Sequence, residues 1–313
     1  GNRTQNSVGA SRSVKSIRKL VAGNWQYYLM LLPCVAALVV FCYLPYGGLI
    51  LAFKEYSIRL GIWFSPFNGF DNFRAIFADP YFMKVTWNTV WLFLLNLVIG
   101  YPLPIIVTLF MNEMLSEKFK KLTQTVIYIP YFISWAVLAG ILSTLFSDSG
   151  TITQLLHFVF GNDISFYVDG HLFVVLLIMS NLWKNTGWNT IIFFAAVGNI
   201  SPELYDAAKI DGAGRFKCMW HVTLPGMSSA ITITLILSLG GLLSGNFDQI
   251  VNMYNQLVYD KADIIQTYIY RIGIFDYKYG LSTAFGLLQS IISLLIIVGA
   301  NFIAKRITGE GIW

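Results

Sequence analysis

Charge is scarce in this chain. Only 12% of its 313 residues are Asp, Glu, Lys or Arg, about half of the ~25% carried by an ordinary soluble domain. That leaves too little polar surface to cover a soluble protein of this size. Cysteine and histidine are scarcer still, at three each. Cys34 and Cys42 lie eight apart in one apolar run, a packing pattern, and Cys218 stands alone in a polar stretch, so no disulfide is expected. His157, His171 and His221 have no Cys, His or carboxylate at ligand spacing, and no metal site is expected. The dipeptide Gly-Lys does not occur, and with it goes the Gly-x-x-x-x-Gly-Lys-Ser/Thr cradle for a nucleotide phosphate. No pair of carboxylates sits inside an apolar run, as a proton-coupled carrier often needs, and no internal repeat marks a standalone secondary carrier. A membrane-embedded enzyme would need His or Asp clustered at the end of an apolar run, and none is clustered there.

What the chain has is apolar length. Hydrophobic residues make up 56% of it, and its mean hydropathy is +0.62. Crossing a bilayer takes roughly 20 mostly apolar residues. Six windows qualify: Tyr28–Ala52, Thr86–Met111, Thr125–Phe146, Leu172–Val197, Ser229–Gln249 and Ala284–Ala304. The alternative is a soluble all-α protein with buried helices, but soluble core helices are rarely apolar all round. The expected class is therefore an all-α integral membrane protein with six transmembrane helices.

An even number of spans puts both termini on one side, and the side richer in Lys and Arg is the cytoplasm. With the termini inside, thirteen basic residues are cytoplasmic: Arg3, Arg12, Lys15, Arg18, Lys19, Lys118, Lys120, Lys121, Lys209, Arg215, Lys217, Lys305 and Arg306. Seven are outside: Lys54, Arg59, Arg74, Lys84, Lys261, Arg271 and Lys278. The net charge of +5 is then a signal of topology. A nucleic-acid partner would need a basic patch with a reading element, so none is expected. Residues 1–27 read as a flexible, basic cytoplasmic tail with an amphipathic end near Val14–Leu20. They do not read as a cleavable signal peptide, because the apolar run that follows is too long. The remaining divisions are 28–85 (first span and outer segment), 86–304 (a core of five spans, with a cytoplasmic loop at 199–228) and 305–313 (cytoplasmic C-terminus).

The loop holds the densest local signals. Ser201 is a good N-cap, Pro202 suits the first helical position, and Glu203 places negative charge at the helix's positive end. Leu204, Ala207, Ala208 and Ile210 form a narrow apolar face. Asp211 and Gly212 break the helix. Phe216, Met219, Trp220 and Val222 give a second stripe, which Pro225 is expected to stop. Such a projection either lies on lipid headgroups or docks another protein.

The run "ELYDAAKIDGAGRFKCMWHVTLP" resembles the EAA motif of permease subunits in binding-protein-dependent ABC importers. The matching residues are Asp206-Ala207-Ala208, then Asp211-Gly212-Ala213, then Val222, Leu224 and Pro225. Asp206 replaces the usual Glu and keeps its charge. The resemblance implies the type I ABC importer permease fold, with five core spans and an extra N-terminal one. It implies that this loop is a coupling helix docking on an ATPase subunit through Glu203, Asp206, Ala207, Ala208, Asp211, Gly212, Phe216 and Pro225. It implies these partners: a second, homologous permease forming a heterodimer, two ATPase subunits and an external solute-binding protein. The chain itself is then a non-catalytic subunit with no cofactor of its own, ATP and Mg being held by the ATPases. Its place is the bacterial cytoplasmic membrane.

Three further runs, "YLPYGGLILAFKEYS", "GNFDQIVNMYNQLVYDKADIIQTYIYRIGI" and "ANFIAKRITGEGIW", are similar to carbohydrate permeases that serve oligo- and polysaccharides. Importers of amino acids, peptides and phosphate share the EAA loop, so the sugar assignment rests on these runs.

An ionisable group inside a span is a functional candidate by default. Lys184 sits in "SNLWKNTGWNT", and Asn181, Lys184, Asn185 and Trp188 share a helix face by spacing. Amides suit sugar hydroxyls, an indole covers the apolar face of a pyranose, and Lys184 offers a charge to an acidic sugar such as a uronate. The alternative is that Lys184 snorkels or pairs within the bundle while the amides serve helix packing. Beyond the loop, Gly240, Gly241 and Gly245 permit close backbone approach, and Ser244 and Asn246 join the expected substrate pathway, with Asp248 near its exit. Pro102 and Pro104 mark a kink. The aromatic-rich outer segments 54–85 and 251–283 read as an interfacial belt and a docking face for the binding protein.

Overall fold

The computed structural model describes residues 23–161, 164–309 and 311–312, so most of the basic tail lies outside the described residues, as does Asp163. Among the described residues the chain is helical throughout; its one β feature is an isolated bridge between Lys54 and Phe67. Among the described residues, four helices are long and apolar enough to cross a membrane. They are Trp25–Phe53, Pro80–Asn112, Trp135–Phe160 and Tyr279–Arg306. A fifth candidate is the pair Arg215–Gly226 and Ser228–Gly240, bent by 59°. The window at Leu172–Val197 forms a single helix, Gly170–Gly198, long enough to cross. It falls outside that set because Asn181, Lys184, Asn185 and Asn189 interrupt its apolar run.

The elements that position the functional regions run in this order. Helix α1 (Trp25–Phe53) passes through a π turn at Val39–Tyr43 into a 3-10 stretch at Leu44–Phe53. Its first part, Trp25–Leu38, buries no side chain; only Ala52, near its end, enters the core. Helix α2 is Pro80–Asn112, capped by the Asp79 carboxylate, which accepts the Tyr81 amide at 2.9 Å. A π turn at Asn96–Gly100 stands directly before Pro102 and Pro104. Helices α3 (Glu117–Tyr128) and α4 (Trp135–Phe146) follow. Next come α5 (Gly170–Gly198), α6 (Pro202–Ile210), α7 (Arg215–Gly226), α8 (Ser228–Gly240), α9 (Phe247–Met253) and α10 (Tyr279–Thr308).

Three sequence expectations need correction. The window Thr125–Phe146 is not one helix. Pro130 cannot donate into an α-helix, so α3 ends at Tyr128, a 3-10 turn spans Ile129–Phe132, and Ser134 caps α4 by accepting the Val137 amide at 3.3 Å. The window Ser229–Gln249 stops at Gly240 and resumes at Phe247, with Gly245 at φ +54° between them. Pro225 does not stop its helix. A π turn at Met219–Thr223 precedes it, Pro225 sits in the first turn of the short segment Leu224–Gly226, and the chain bends at Met227 into α8.

Three buried clusters hold the bundle. One gathers Leu92, Phe173, Leu176, Leu177, Ile250 and Ile264. Another joins Ala52, Ile76, Val85, Leu243, Ala284 and Phe285. The third packs Leu109, Phe193, Val197, Met219 and Met227 at the base of the 199–228 loop.

Candidate functional site

The loop is rigid because its backbone groups are closed at each turn. Ser201 accepts the Glu203 amide at 3.3 Å. At the other end of α6, Gly212 takes φ +75°, and two crossed bonds close the helix, Gly212 N–H to Lys209 O at 3.0 Å and Ala213 N–H to Ala208 O at 2.9 Å. This terminus needs a residue that accepts positive φ at little cost. The Tyr205 hydroxyl meets the Thr223 Oγ1 at 3.0 Å, and Cys218 Sγ donates to Ala213 O at 3.7 Å, tying α6 to α7. Glu203, Asp206, Ala207, Asp211, Gly212 and Phe216 all lie exposed, Ala208 is half-buried, and Pro225 sits exposed at the bend beneath them. Asp206 pairs with Lys209 at 3.2 Å on the surface, where such a pair contributes little. The apolar side chains point outward: Ile210 is 86% exposed, Phe216 74% and Leu204 55%. A capped, cross-tied loop with an outward apolar face has the form of a docking element.

The second region is a cavity of about 330 Å³ between α2, α5, the 241–246 turn and α9. Asn181, Asn185, Ser244 and Asn246 all line it. Asn189, one further turn along α5 and left off the expected face, lines it too, as do Asn96 and Tyr101 from α2, which sequence reasoning missed. A period of four from Asn181 would have found Asn189, and Asn96 stands out as an amide in an apolar run; Tyr101 carries no local signal. Gln249 floors the cavity. Its amide donates to Leu177 O at 2.7 Å and Ser180 Oγ at 2.9 Å, and its oxygen accepts from Asn181 at 3.4 Å. Among the described residues lining this cavity none is charged. Amides both donate and accept, which suits a ligand dense in hydroxyls. A wider cavity of about 730 Å³ lies across the 241–246 turn, with Ser244 common to both, and it includes Tyr270, Tyr279, Gln289 and Ser290.

Lys184 and Trp188 do not line either cavity. The expected face of Asn181, Lys184, Asn185 and Trp188 is split: the asparagines turn to the cavity and the other two turn to the seam with α3 and α4. Lys184 is buried and donates to the carbonyls of Tyr131 at 2.6 Å, Pro130 at 3.4 Å and Ile133. Its ammonium also lies 5.3 Å from the Tyr131 ring and 5.4 Å from that of Trp135. Trp188 stacks on Tyr131 at 4.2 Å, nearly parallel. Between them, a Cβ at Gly187 would fall 1.9 Å from Ile127 O. The break at Pro130 frees carbonyls, and a buried ammonium needs acceptors; each supplies the other.

A third network was not legible in the sequence. Asp263 is fully buried and receives Arg271, the Tyr81 hydroxyl at 2.8 Å and the Thr267 hydroxyl at 2.7 Å. Asn88 donates to Asp263 O and Asp260 O, each at 3.1 Å. Burial disfavours charge on Arg271, but the hydrogen bond and charge of Asp263 outweigh it and hold the guanidinium protonated. Burial, then the hydrogen bond to Asp79, pushes the Tyr268 hydroxyl above its usual range. Beside them, a hydrogen bond from Lys84 holds the Asp260 carboxyl below the usual range. The network staples the 254–278 segment to the start of α2.

These features can be set against known proteins. The family described as binding-protein-dependent transport system inner membrane component matches residues 100–309. Protein LplB of Bacillus subtilis (strain 168) is 40% identical over 305 residues, covering 97% of this chain and 96% of that protein. The polygalacturonan/rhamnogalacturonan transport system permease protein YteP of the same organism is 39% identical over 287 residues, 91% of this chain and 89% of that protein. The fold superposes with a TM-score of 0.84 on a chain of a bacterial ABC transporter involved in the import of the acidic polysaccharide alginate, at 35% identity, covering 94% of this chain and 99% of that one. The same values hold for the bacterial alginate ABC transporter in complex with an alginate pentasaccharide-bound periplasmic protein.

Proposed function

The chain belongs to the family of binding-protein-dependent transport system inner membrane components, and from that membership we propose that it is the permease subunit of an ATP-driven importer that carries oligosaccharides, acidic ones included, into a bacterial cell. One observation carries the reading. The same chain presents a rigid loop with an outward apolar face and, within its helices, an uncharged cavity rimmed by amides and hydroxyls. The first is a place to be pushed; the second is a place for a sugar. An amino acid, a peptide or a phosphate would bring a charged group to every occupancy, and no charged side chain among the described lining residues meets one. An acidic sugar brings carboxylates as well, but each of its linked residues also carries free hydroxyls that the lining amides can meet. Its carboxylates would be met by water or by a partner half, because Lys184 is committed to three carbonyls.

The working assembly is a heterodimer of this chain with a second permease, two ATPase subunits beneath it and an external binding protein above. Both termini and the 199–228 loop face the cytoplasm, and α5, fourth in chain order, completes the six spans. The chain performs no chemistry of its own. ATP and Mg belong to the ATPases, whose closure shifts α6 and α7. The third apolar cluster, which joins Met219 and Met227 to Phe193 and Val197 of α5, passes that shift to the helix carrying Asn181, Asn185 and Asn189. The aromatic 54–85 and 251–283 segments receive the binding protein. Affinity purification of a tagged chain from its native membrane tests the assembly. It should bring down a second permease and an ATPase. Recovery of a transport-competent chain without any ATPase would overturn the reading.

A further inference from the structure

Helix α3 (Glu117–Tyr128) has two faces of different character. Phe119, Leu122, Val126 and Ile129 recur at spacings of three, four and three, so they fall on one side. Each is more than half exposed. Thr123, Gln124, Ile127 and Tyr128 lie on the other side and are half-buried, and α3 packs on α5. Lys118 and Lys121 belong to the outward face and are both exposed. Lys120 turns the other way, its ammonium 5.7 Å from the Phe194 ring of α5.

The length of this face fits one leaflet. From Phe119 to Ile129 the rise is about 15 Å, at roughly 1.5 Å per residue, which is half of a hydrocarbon core of about 30 Å. The stripe ends where Pro130 breaks the helix. With the stripe among acyl chains, Lys118 and Lys121 stand at headgroup depth. Side chains tilt toward the N-terminus of a helix, which brings Lys121 up toward Lys118. Among the described residues neither lysine forms an ion pair. Glu117, exposed one turn before Lys121, does not pair with it either. Lys118, Lys120 and Lys121 against Glu117 leave residues 117–121 a net charge of +2. Residues three apart are neighbours on a helix surface, so both ammonium groups can reach a single anion.

We propose that the outward face of α3 is a binding site for an anionic phospholipid. Lys118 and Lys121 hold the headgroup phosphate between them, and Phe119, Leu122, Val126 and Ile129 seat the acyl chains. A zwitterionic lipid offers the same chains, but its own cation competes with the lysines, so charge selects the occupant. A soluble anion would meet the lysines and leave the stripe uncovered. None of these six residues lines either cavity, so the site is separate from the one read for sugar.

The test places a benzophenone photo-crosslinker at Val126 in the complete assembly, held in nanodiscs of equal parts phosphatidylglycerol and phosphatidylcholine. Mass spectrometry then gives the ratio of the two lipids captured at that position. With the lysines intact the ratio should favour phosphatidylglycerol by about thirtyfold, the combined effect of two surface lysines. Lys118→Gln with Lys121→Gln should bring it close to one, and Lys118→Arg with Lys121→Arg should keep most of the preference. Lys120→Gln, on the face turned to α5, should leave it nearly unchanged. A ratio near one with the lysines intact overturns the proposal. A loss in Lys120→Gln as large as in the outward pair also overturns it, since that marks diffuse surface charge. Excess inorganic phosphate should not change the ratio; a fall toward one would show a site for a free anion and not for a lipid. Should the double Gln variant fail to assemble, salt gives the same test on the unaltered lysines: about 1 M salt should abolish the preference, and its persistence would overturn the proposal.

Discussion

The 199–228 loop and the cavity are built in opposite senses. In the loop, apolar side chains at Leu204, Ile210 and Phe216 face outward from a backbone whose ends are fully closed. In the cavity, polar side chains at Asn96, Asn181, Asn185 and Ser244 line the space between α2, α5 and the 241–246 turn. Each arrangement is costly in isolation and each is relieved by a partner, a protein surface for the first and a hydroxyl-rich ligand for the second. On the function proposed above, the pairing separates two tasks within one subunit: one region transmits motion and the other selects cargo. The seam at Lys184 belongs to neither, since it holds the scaffold on which both are mounted.

Changes in the three places should therefore have different signatures. The largest effect is expected at the loop. Gly212→Val puts a β-branched residue at φ +75°, where L-residues are disfavoured by about 1–2 kcal/mol before branching is counted. ATP-driven uptake should fall to background while the chain still inserts in the membrane and sugar binding to the purified assembly is unchanged. Normal uptake would break the division of labour. The seam comes next. Lys184→Met removes a buried charge and strands the carbonyls it serves, with an expected stability loss of about 3 kcal/mol by denaturant unfolding in detergent. The preference between acidic and neutral sugars should not move, because Lys184 does not reach the cavity. At the cavity itself, Asn185→Leu should weaken sugar binding by about tenfold with ATP hydrolysis in the absence of sugar intact; a matching loss of hydrolysis would blur the comparison. The smallest effect lies on the opposite end of the bundle from the loop. The Asp260 carboxyl is held down in the folded state by Lys84, so its contribution is present above the ordinary Asp value, about 3.9, and is lost as pH falls through the depressed one. The pair is well exposed, so Asp260→Asn should flatten the acid-side decline in unfolding free energy by no more than ~0.5 kcal/mol.

The two regions also differ in how far the sequence discloses them. The loop was readable because its signals are local. Ser201, Pro202, Gly212 and the apolar spacing each act within a turn, and together they place both helices and the break between them. Only the end went astray, where Pro225 bends the chain instead of stopping it, since a proline is tolerated in the first turn of the next segment. The cavity was half readable. Asn181 and Asn185 could be found as polar residues in an apolar run. The face could not be fixed, because the partner that draws Lys184 and Trp188 away is the broken turn at Pro130, more than fifty positions earlier. Tyr101 and the Asp263–Arg271–Tyr81 network depend on contacts of the same long range. The helical windows were right in kind and wrong in extent at Pro130 and at the Gly240–Gly241 pair, while the prolines inside Tyr28–Ala52 and Thr86–Met111 leave those helices continuous.

Uptake of labelled trigalacturonate or alginate trisaccharide into proteoliposomes carrying the full assembly and its binding protein tests the account most directly. Uptake that requires ATP, the ATPase subunits and the binding protein together is the predicted result. Uptake by proteoliposomes that lack the ATPases, or ATP-driven uptake of an amino acid or phosphate in place of the sugar, would contradict it.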